Sequence, residues 1–377
     1  MILIPVGFAV IGGYLPEVPV VGPFGGILNT GLPWILAAAG LGTGLAGLAV
    51  ALGGRKTAVL LVAGISLLAG SGFIAYRFVA LAEQHGASYD VLRAIDGFPI
   101  VPEPTGRVTY ATVDGQALEA DLWLPPTSSA VRAGSLPTVV FVHGGAFIGG
   151  APGTRPMLLG ALRSAGIVGI DIDYRLAPPP RWDQAPGDVL CALAWLRTAD
   201  GLQMVDPAHV VVAGESAGGS LALLAGYAAG TDAIASSCPD LGPPILPAGV
   251  IAISPTADLT GIWQDGTIYD GPGRRFPEAF IGGSPAEFPG RYEAASPFPL
   301  LRPDLPPTLI LAGEIDRMVL IERSMVLAER IRAAGSACEL VTVPFAGHGF
   351  DGEPNSFGDQ LSEAVVRDFV LRAPGSG

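Results

Sequence analysis

Two kinds of apolar pattern divide this chain. From Val18 to Gly54 no charged residue occurs, and Leu32 to Gly53 alone supplies an unbroken apolar stretch of spanning length, enough for a hydrocarbon core ~30 Å thick. Arg55-Lys56 interrupts, and Thr57 to Tyr76 is a second uncharged stretch. The pattern predicts an N-terminal transmembrane helical hairpin, about residues 32–53 and 57–76, inside a membrane anchor covering residues 1–85. Met1 to Tyr14 is apolar too, but Pro16, Glu17, Pro19 and Pro23 follow it. It reads as an interfacial or re-entrant segment, with a third span as the alternative. A cleaved signal peptide is disfavoured, because the first positive charge is Arg55, far from the start.

Beyond the anchor the runs shorten and become β-branched. Residues 86–106 read as a linker or short helix, and residues 107–377 as one large domain. Arg107–Val113 and Leu118–Leu124 alternate around Asp114-Gly115, a hairpin signal. Apolar strands are expected at Pro137–Val142, Ile167–Asp173, Val210–Ala213, Gly249–Ser254, Thr308–Ala312 and Glu339–Pro344. Helices are expected at Asp188–Arg197, Ser220–Gly230, Ile321–Ala334 and Gln360–Leu371. Alternation of this kind predicts the α/β class, a mostly parallel sheet with helices on both faces, begun by an antiparallel hairpin. Residues 255–303 are rich in Pro and Gly and carry Trp263, Tyr269, Phe276, Phe280, Phe288 and Tyr292; between two core strands, such a segment reads as a cap over a site. The Pro374-Gly-Ser-Gly tail reads as disordered.

Candidate chemistry starts at VVVAGESAGGSLALLAG, Val210–Gly226. Gly214-Glu215-Ser216-Ala217-Gly218 is G-x-S-x-G between an apolar strand and a small-residue helix, the nucleophile elbow of the α/β-hydrolase fold. A serine hydroxyl is a weak nucleophile and needs a base, itself held by an acid. Of the four histidines, His85 lies beside the anchor and His143 and His209 precede the elbow. Only His348, just after the last expected strand, suits the order Ser, acid, His. The acid falls in Leu311–Asp316, with Asp316 preferred and Glu314 as the alternative. Backbone N–H groups for a developing oxyanion come from Gly144 and Gly145 after a buried strand and from Ala217 after the serine.

These motifs together resemble the bacterial carboxylesterases of the hormone-sensitive lipase type and their feruloyl-esterase-like relatives, over about Val113 to Val370. The stretches are His143–Phe147 (HGGAF), Asp173–Pro178 (DYRLAP), Gly214–Gly219 (GESAGG), Gly313–Asp316 (GEID) and Gly347–Phe350 (GHGF). The resemblance implies Ser216 as nucleophile, His348 as base and Asp316 as its orienter. It also implies that His143 supports the oxyanion loop and that Asp173-Tyr174-Arg175 braces it. Ala146 stands where the hormone-sensitive lipase group usually has a third glycine and Glu215 where it has aspartate, so the chain leans to the feruloyl-esterase-like branch.

Composition then narrows the classes. Mean hydropathy is +0.49 and the pI about 4.7. Residues 1–85 carry a net charge of +1, so of the total of −13 the rest of the chain carries −14, which makes nucleic acid a poor partner. Gly42–Gly47 matches G-x-G-x-x-G but sits inside the first span with no strand before it, so it is not a dinucleotide site. Gly40 and Gly44 form a G-x-x-x-G suited to helix packing. Cys191, Cys238 and Cys338 show no C-x-x-C, which points to no zinc site and leaves room for one disulfide. No metal or cofactor is expected. Arg55 and Lys56 between the spans favour a cytoplasmic turn and an extracytoplasmic C-terminal domain. The expected protein is a membrane-anchored serine esterase, its substrate a small-molecule or lipid ester and its other partner the bilayer. The alternatives are an amidase or peptidase of the prolyl-oligopeptidase type and a non-catalytic membrane-tethered binding module.

Overall fold

The structure, a computed structural model, describes residues 14–15, 31–53, 55–95, 99–126, 135–198, 202–266 and 272–373. Most of the Met1–Tyr14 segment, Tyr269 and the Pro374–Gly377 tail lie outside them. The chain divides into two compact units, one comprising Met1–Ile100, Gly313–Met318 and Thr342–Val365, the other Val101–Ala312, Val319–Val341 and Val366–Gly377.

The first unit opens with helices α1 (Leu32–Leu52) and α2 (Arg55–Gln84), packed against each other, and the short α3 (Val91–Ile95). Both α1 and α2 are long and apolar enough to cross a membrane, and Leu36, Leu48, Val50, Val59, Val62 and Ile65 point outward. Close packing falls on a different glycine pair from the one expected. A Cβ on Gly42 would lie 2.7 Å from the Gly64 carbonyl oxygen, whereas Gly40 and Gly44 have open space around them. Which face of a small-residue helix meets its neighbour depends on the partner's own small residues, and those are on α2.

Helix α2 runs eight residues beyond the expected end at Tyr76. Residues 77–84 lack Gly and Pro and are mostly good helix formers. Gly86, at φ +64°, closes the helix, with the Gly86 N–H bonded to Glu83 O and the Ala87 N–H to Ala82 O, a Schellman stop. In the same unit Phe78 stacks on Phe357 at 5.4 Å and Tyr89 meets Phe357 edge-on at 4.5 Å. Arg93 makes a bidentate pair with Glu363 at 2.6 and 2.7 Å.

The second unit is built on an eight-stranded sheet. Its strands are β1 (Gly106–Val113), β2 (Gln116–Trp123), β3 (Leu136–Val142), β4 (Val168–Ile172), β5 (Val205–Glu215), β6 (Gly249–Ile253), β7 (Thr308–Gly313) and β8 (Cys338–Val343), in spatial order β1-β2-β4-β3-β5-β6-β7-β8. The β1–β2 and β2–β4 pairs are antiparallel, and β3, β4, β5, β6 and β7 pair in parallel. Every residue of β4, β6 and β7 is buried, as a sheet covered on both faces requires. Strand β5 begins earlier than expected. Val205 pairs with Leu136 and Val210 with Thr138, so residues 206–209 bulge and take up Pro207, which has no N–H for a ladder.

The connections carry α4 (Pro156–Ser164), α5 (Ala185–Trp195), α6 (Ala217–Ala228), α7 (Leu259–Asp265), α8 (Pro272–Ile281), α9 (Pro289–Ala294), α10 (Ile321–Ala333) and α11 (Phe357–Arg372). Helix α4 is not among the expected elements. Its apolar run is short and broken by Gly160, where Pro102 packs. Gly226 lets α6 lie on the Val212 and Val250 side chains of one sheet face, while Phe369 of α11 covers the opposite face at Gly249. The 255–303 segment folds as α7, α8, α9 and a 3₁₀ turn, with Phe280 and Tyr292 fully buried. A disulfide joins Cys191 to Cys238.

Candidate active site

Strand β5 ends at Glu215 and helix α6 starts at Ala217, so Ser216 alone makes the turn between them. Its backbone sits at φ 52°, ψ −117°, a conformation that costs an L-residue on the order of 1–3 kcal/mol and persists only where the surroundings enforce it. They do so through close backbone approach. A Cβ on Gly218 would lie 2.1 Å from Val142 O, and one on Gly214 would lie 2.2 Å from Gly218 O. The Ser216 N–H donates to Ile253 O at 2.8 Å and its carbonyl accepts from Ser220 at 3.2 Å. Ala217 is the first residue of α6, so its N–H is among those without an intrahelical acceptor.

The glycine loop after β3 lies alongside. A Cβ on Gly144 would be 3.4 Å from Ser216 Cβ, which sets how near this backbone runs to the serine. Gly145 has φ +120° and Gly149 O where a Cβ would stand, so only glycine fits. Ala146, in place of the third glycine, takes φ 56°, and Phe147 follows at 64°; the chain keeps a glycine-like path without glycine, at a cost of roughly 1–2 kcal/mol per residue.

Neighbouring side chains hold this loop. His143 is fully buried, stacks on Tyr174 at 4.5 Å and directs Nδ1 to Gly144 O at 2.6 Å; facing a carbonyl, that nitrogen carries the hydrogen. The Tyr174 hydroxyl donates to His143 O at 3.2 Å, and burial pushes its pKa up. Arg175 forks onto the buried Asp188 and reaches Asp114 at 2.7 Å. The Ala177 N–H donates to Phe147 O at 2.9 Å.

Two supports of the site, Arg155 and Asp171, have no motif that marks them in the sequence, and Phe280 of the expected cap adds a third. Arg155 is buried and its Nε donates to Glu215 Oε2 at 2.6 Å, so the residue before the serine is tied to the start of α4. The signal available was the charge of Glu215 in an apolar motif, which needs a cation. Asp171 is buried in β4, accepts the Gly153 N–H at 2.6 Å, and is pushed up to about 7 by burial. Phe280 of α8 stacks on Phe147 at 4.0 Å, so the 255–303 segment packs on the glycine loop. The same segment lines a cavity of about 330 Å³ with Asp258, Thr260, Tyr292, Glu293, Ser296, Phe298 and Pro299.

In the other unit, Asp316 and His348 come together. His348 Nδ1 lies 2.8 Å from Asp316 Oδ2, with the carboxylate buried and the ring partly exposed. Asp316 Oδ1 accepts the Met318 N–H at 2.8 Å, which fixes the carboxylate plane. Their loops are bonded through backbone, Glu314 N–H to Val343 O at 2.9 Å and Ile315 N–H to Ala346 O at 3.0 Å. Glu314, the alternative acid, instead meets Arg77 at 3.4 Å.

An elbow serine, a glycine loop beside it and a sheet in this strand order define the α/β-hydrolase class. The BD-FAE family model matches residues 120–331, and the chain belongs to that family. It is 32% identical to Esterase LipC of Mycobacterium tuberculosis over 65% of this chain, and spans 59% of the length of that relative. It is 33% identical to Carboxylesterase/phospholipase LipF of the same organism, over 66% of this chain and 69% of that protein. Among solved structures, Thermogutta terrifontis esterase 2 phosphonylated by sarin has a similar fold, with TM-score 0.60 and 24% identity over 73% of this chain and 96% of that one.

Proposed function

We propose that this protein is a membrane-anchored serine carboxylesterase. The observation that carries the reading is Ser216 held at a strained elbow beside a glycine loop, in a chain of the BD-FAE family whose relatives include named esterases. In the proposed reaction Ser216 Oγ attacks the ester carbonyl carbon while His348 Nε2 takes its proton, and Asp316 keeps Nδ1 protonated and steadies the imidazolium. The N–H groups of Gly144 or Gly145 and of Ala217 meet the negative charge on the former carbonyl oxygen. The tetrahedral adduct collapses, His348 returns the proton to the alkoxide, and the alcohol leaves. Water then repeats the sequence on the acyl-enzyme, releasing the carboxylic acid and restoring the serine. The 255–303 segment, packed on Phe147, serves as the cap.

The anchor is read from α1 and α2, with residues after α2 outside the cytoplasm. The Cys191–Cys238 disulfide suits that compartment, since such bonds persist where the surroundings are oxidising. Anchoring favours esters carried in or near the bilayer.

The test is hydrolysis of nitrophenyl esters of increasing chain length, and of a matched nitroanilide, by full-length protein and Ser216→Ala. Ester turnover by the wild type, reduced by about 10⁴-fold or more in Ser216→Ala, is expected. Preference for the anilide would favour the amidase. Silence in both proteins, with no phosphonate labelling of Ser216, would favour the binding module.

A further inference from the structure

In the first unit, one turn of helix α2, Phe73 to Arg77, lies against the loops that carry Asp316 and His348. Phe345 stands three residues before His348 at φ 55°, a left-handed conformation that a bulky residue adopts only under constraint. The Tyr14 and Phe73 rings lie against it at 5.3 and 6.0 Å, and Tyr14 is itself tied to α2 through its hydroxyl on Gly70 O at 3.2 Å. The Arg77 guanidinium is 6.0 Å from both the Phe73 and Phe345 rings. Its other contact, at 3.4 Å, is Glu314, two residues before Asp316. One turn of α2 therefore grips both loops, and those loops are bonded to each other through backbone. Each contact is weak at such exposure; their convergence on one strained residue is the point.

We propose that Phe73 and Arg77 are positioning residues, which hold the His348 and Asp316 loops through Phe345 and Glu314 and so make the anchor helix part of the catalytic machinery. The proposal rests on the esterase reading above. Its physical basis is that a general base must stand within hydrogen-bond reach of its proton, so that a displacement near 1 Å in its loop costs up to about 10²-fold in rate. Under this arrangement the anchor acts as more than a tether, because soluble esters feel its loss as strongly as lipid ones.

The experiment uses full-length protein in detergent micelles and a short-chain nitrophenyl ester. Phe73→Ala with Arg77→Gln is expected to lower kcat about 10-fold while KM stays within about two-fold. The conservative pair Phe73→Tyr with Arg77→Lys is expected to recover kcat to within about two-fold of wild type. Equal kcat in wild type and the non-conservative double variant would overturn the proposal, and so would equal losses in both pairs, the mark of simple misfolding. Should the double variant fail to fold, Arg77→Gln alone, at a half-exposed site, is expected to lower kcat about three-fold, and no change would overturn the proposal. A wild type that neither turns over the ester nor reacts with a phosphonate at Ser216 overturns the esterase reading and this one with it, whereas an active wild type with an unaffected double variant overturns only the positioning role.

Discussion

Ser216 and the Asp316–His348 pair are held in place in different ways. The serine's turn is enforced by residues within two positions, Gly214 and Gly218, whose missing side chains leave room for Val142 and Gly218 carbonyls at little over 2 Å from where a Cβ would stand. Asp316 and His348 lie 32 residues apart on loops joined by two backbone hydrogen bonds, with Phe73 and Arg77 from near the other end of the chain packed on them. The contrast teaches that an elbow serine can be built into a local motif, while a carboxylate–imidazole pair depends on long-range packing and so is open to influence from elsewhere.

The sharpest way to break the comparison is at Asp316, the proposed acid. Asp316→Asn keeps the shape but not the charge facing His348 Nδ1, and is expected to lower kcat by about 10³- to 10⁴-fold. Glu314→Gln, at a side chain that meets Arg77, is expected to cost about three-fold or less by the same steady-state assay. Similar losses in the two variants would mean that the choice between the carboxylates is wrong.

On the serine side, Gly144→Ala puts a methyl group 3.2 Å from Glu215 O and 3.4 Å from Ser216 Cβ, tight enough to shift the loop. We expect kcat to fall about 10²-fold, the usual loss when an oxyanion donor is displaced, with thermal stability nearly unchanged. A normal kcat would remove Gly144 from the oxyanion site.

The smallest effect concerns Asp171, which accepts the Gly153 N–H and is pushed up to about 7 by burial. A raised carboxyl pKa means that the folded state holds the proton more tightly than the unfolded state. This contribution to stability is therefore greatest at low pH and is lost as pH rises from about 4 through 7. Asp359 is pushed the same way, also to about 7. Asp171→Asn should reduce the drop in Tm between pH 5 and pH 8 by a few degrees relative to wild type, measured by thermal unfolding. An identical drop in both proteins would rule out Asp171 as a titrating group in that range.

Several features were legible in advance because their physics is local. An uncharged stretch of spanning length, β-branched runs alternating with helical ones, and glycines flanking a serine all state their backbone requirements within a few residues. Hence the hairpin helices, the eight strands and the strand–turn–helix around Ser216 stand close to where the pattern places them. The choice of Asp316 over Glu314 was harder, since two carboxylates of one loop differ only in where the loop points them. In the structure Asp316 meets His348 Nδ1 at 2.8 Å, whereas Glu314 meets Arg77.

The sequence by itself determined the α/β class, the elbow and the chain order of Ser216, Asp316 and His348, since each follows from short-range sterics and chain order. Only the tertiary structure decided that Gly42 and Gly64, and not Gly40 and Gly44, carry the helix crossing. It also decided that Arg155 answers the charge of Glu215, that Cys191 pairs with Cys238, and that Phe345 is gripped by Phe73 of α2. Those outcomes depend on which distant surfaces meet, and an apolar or charged residue records that it needs a partner without recording which one.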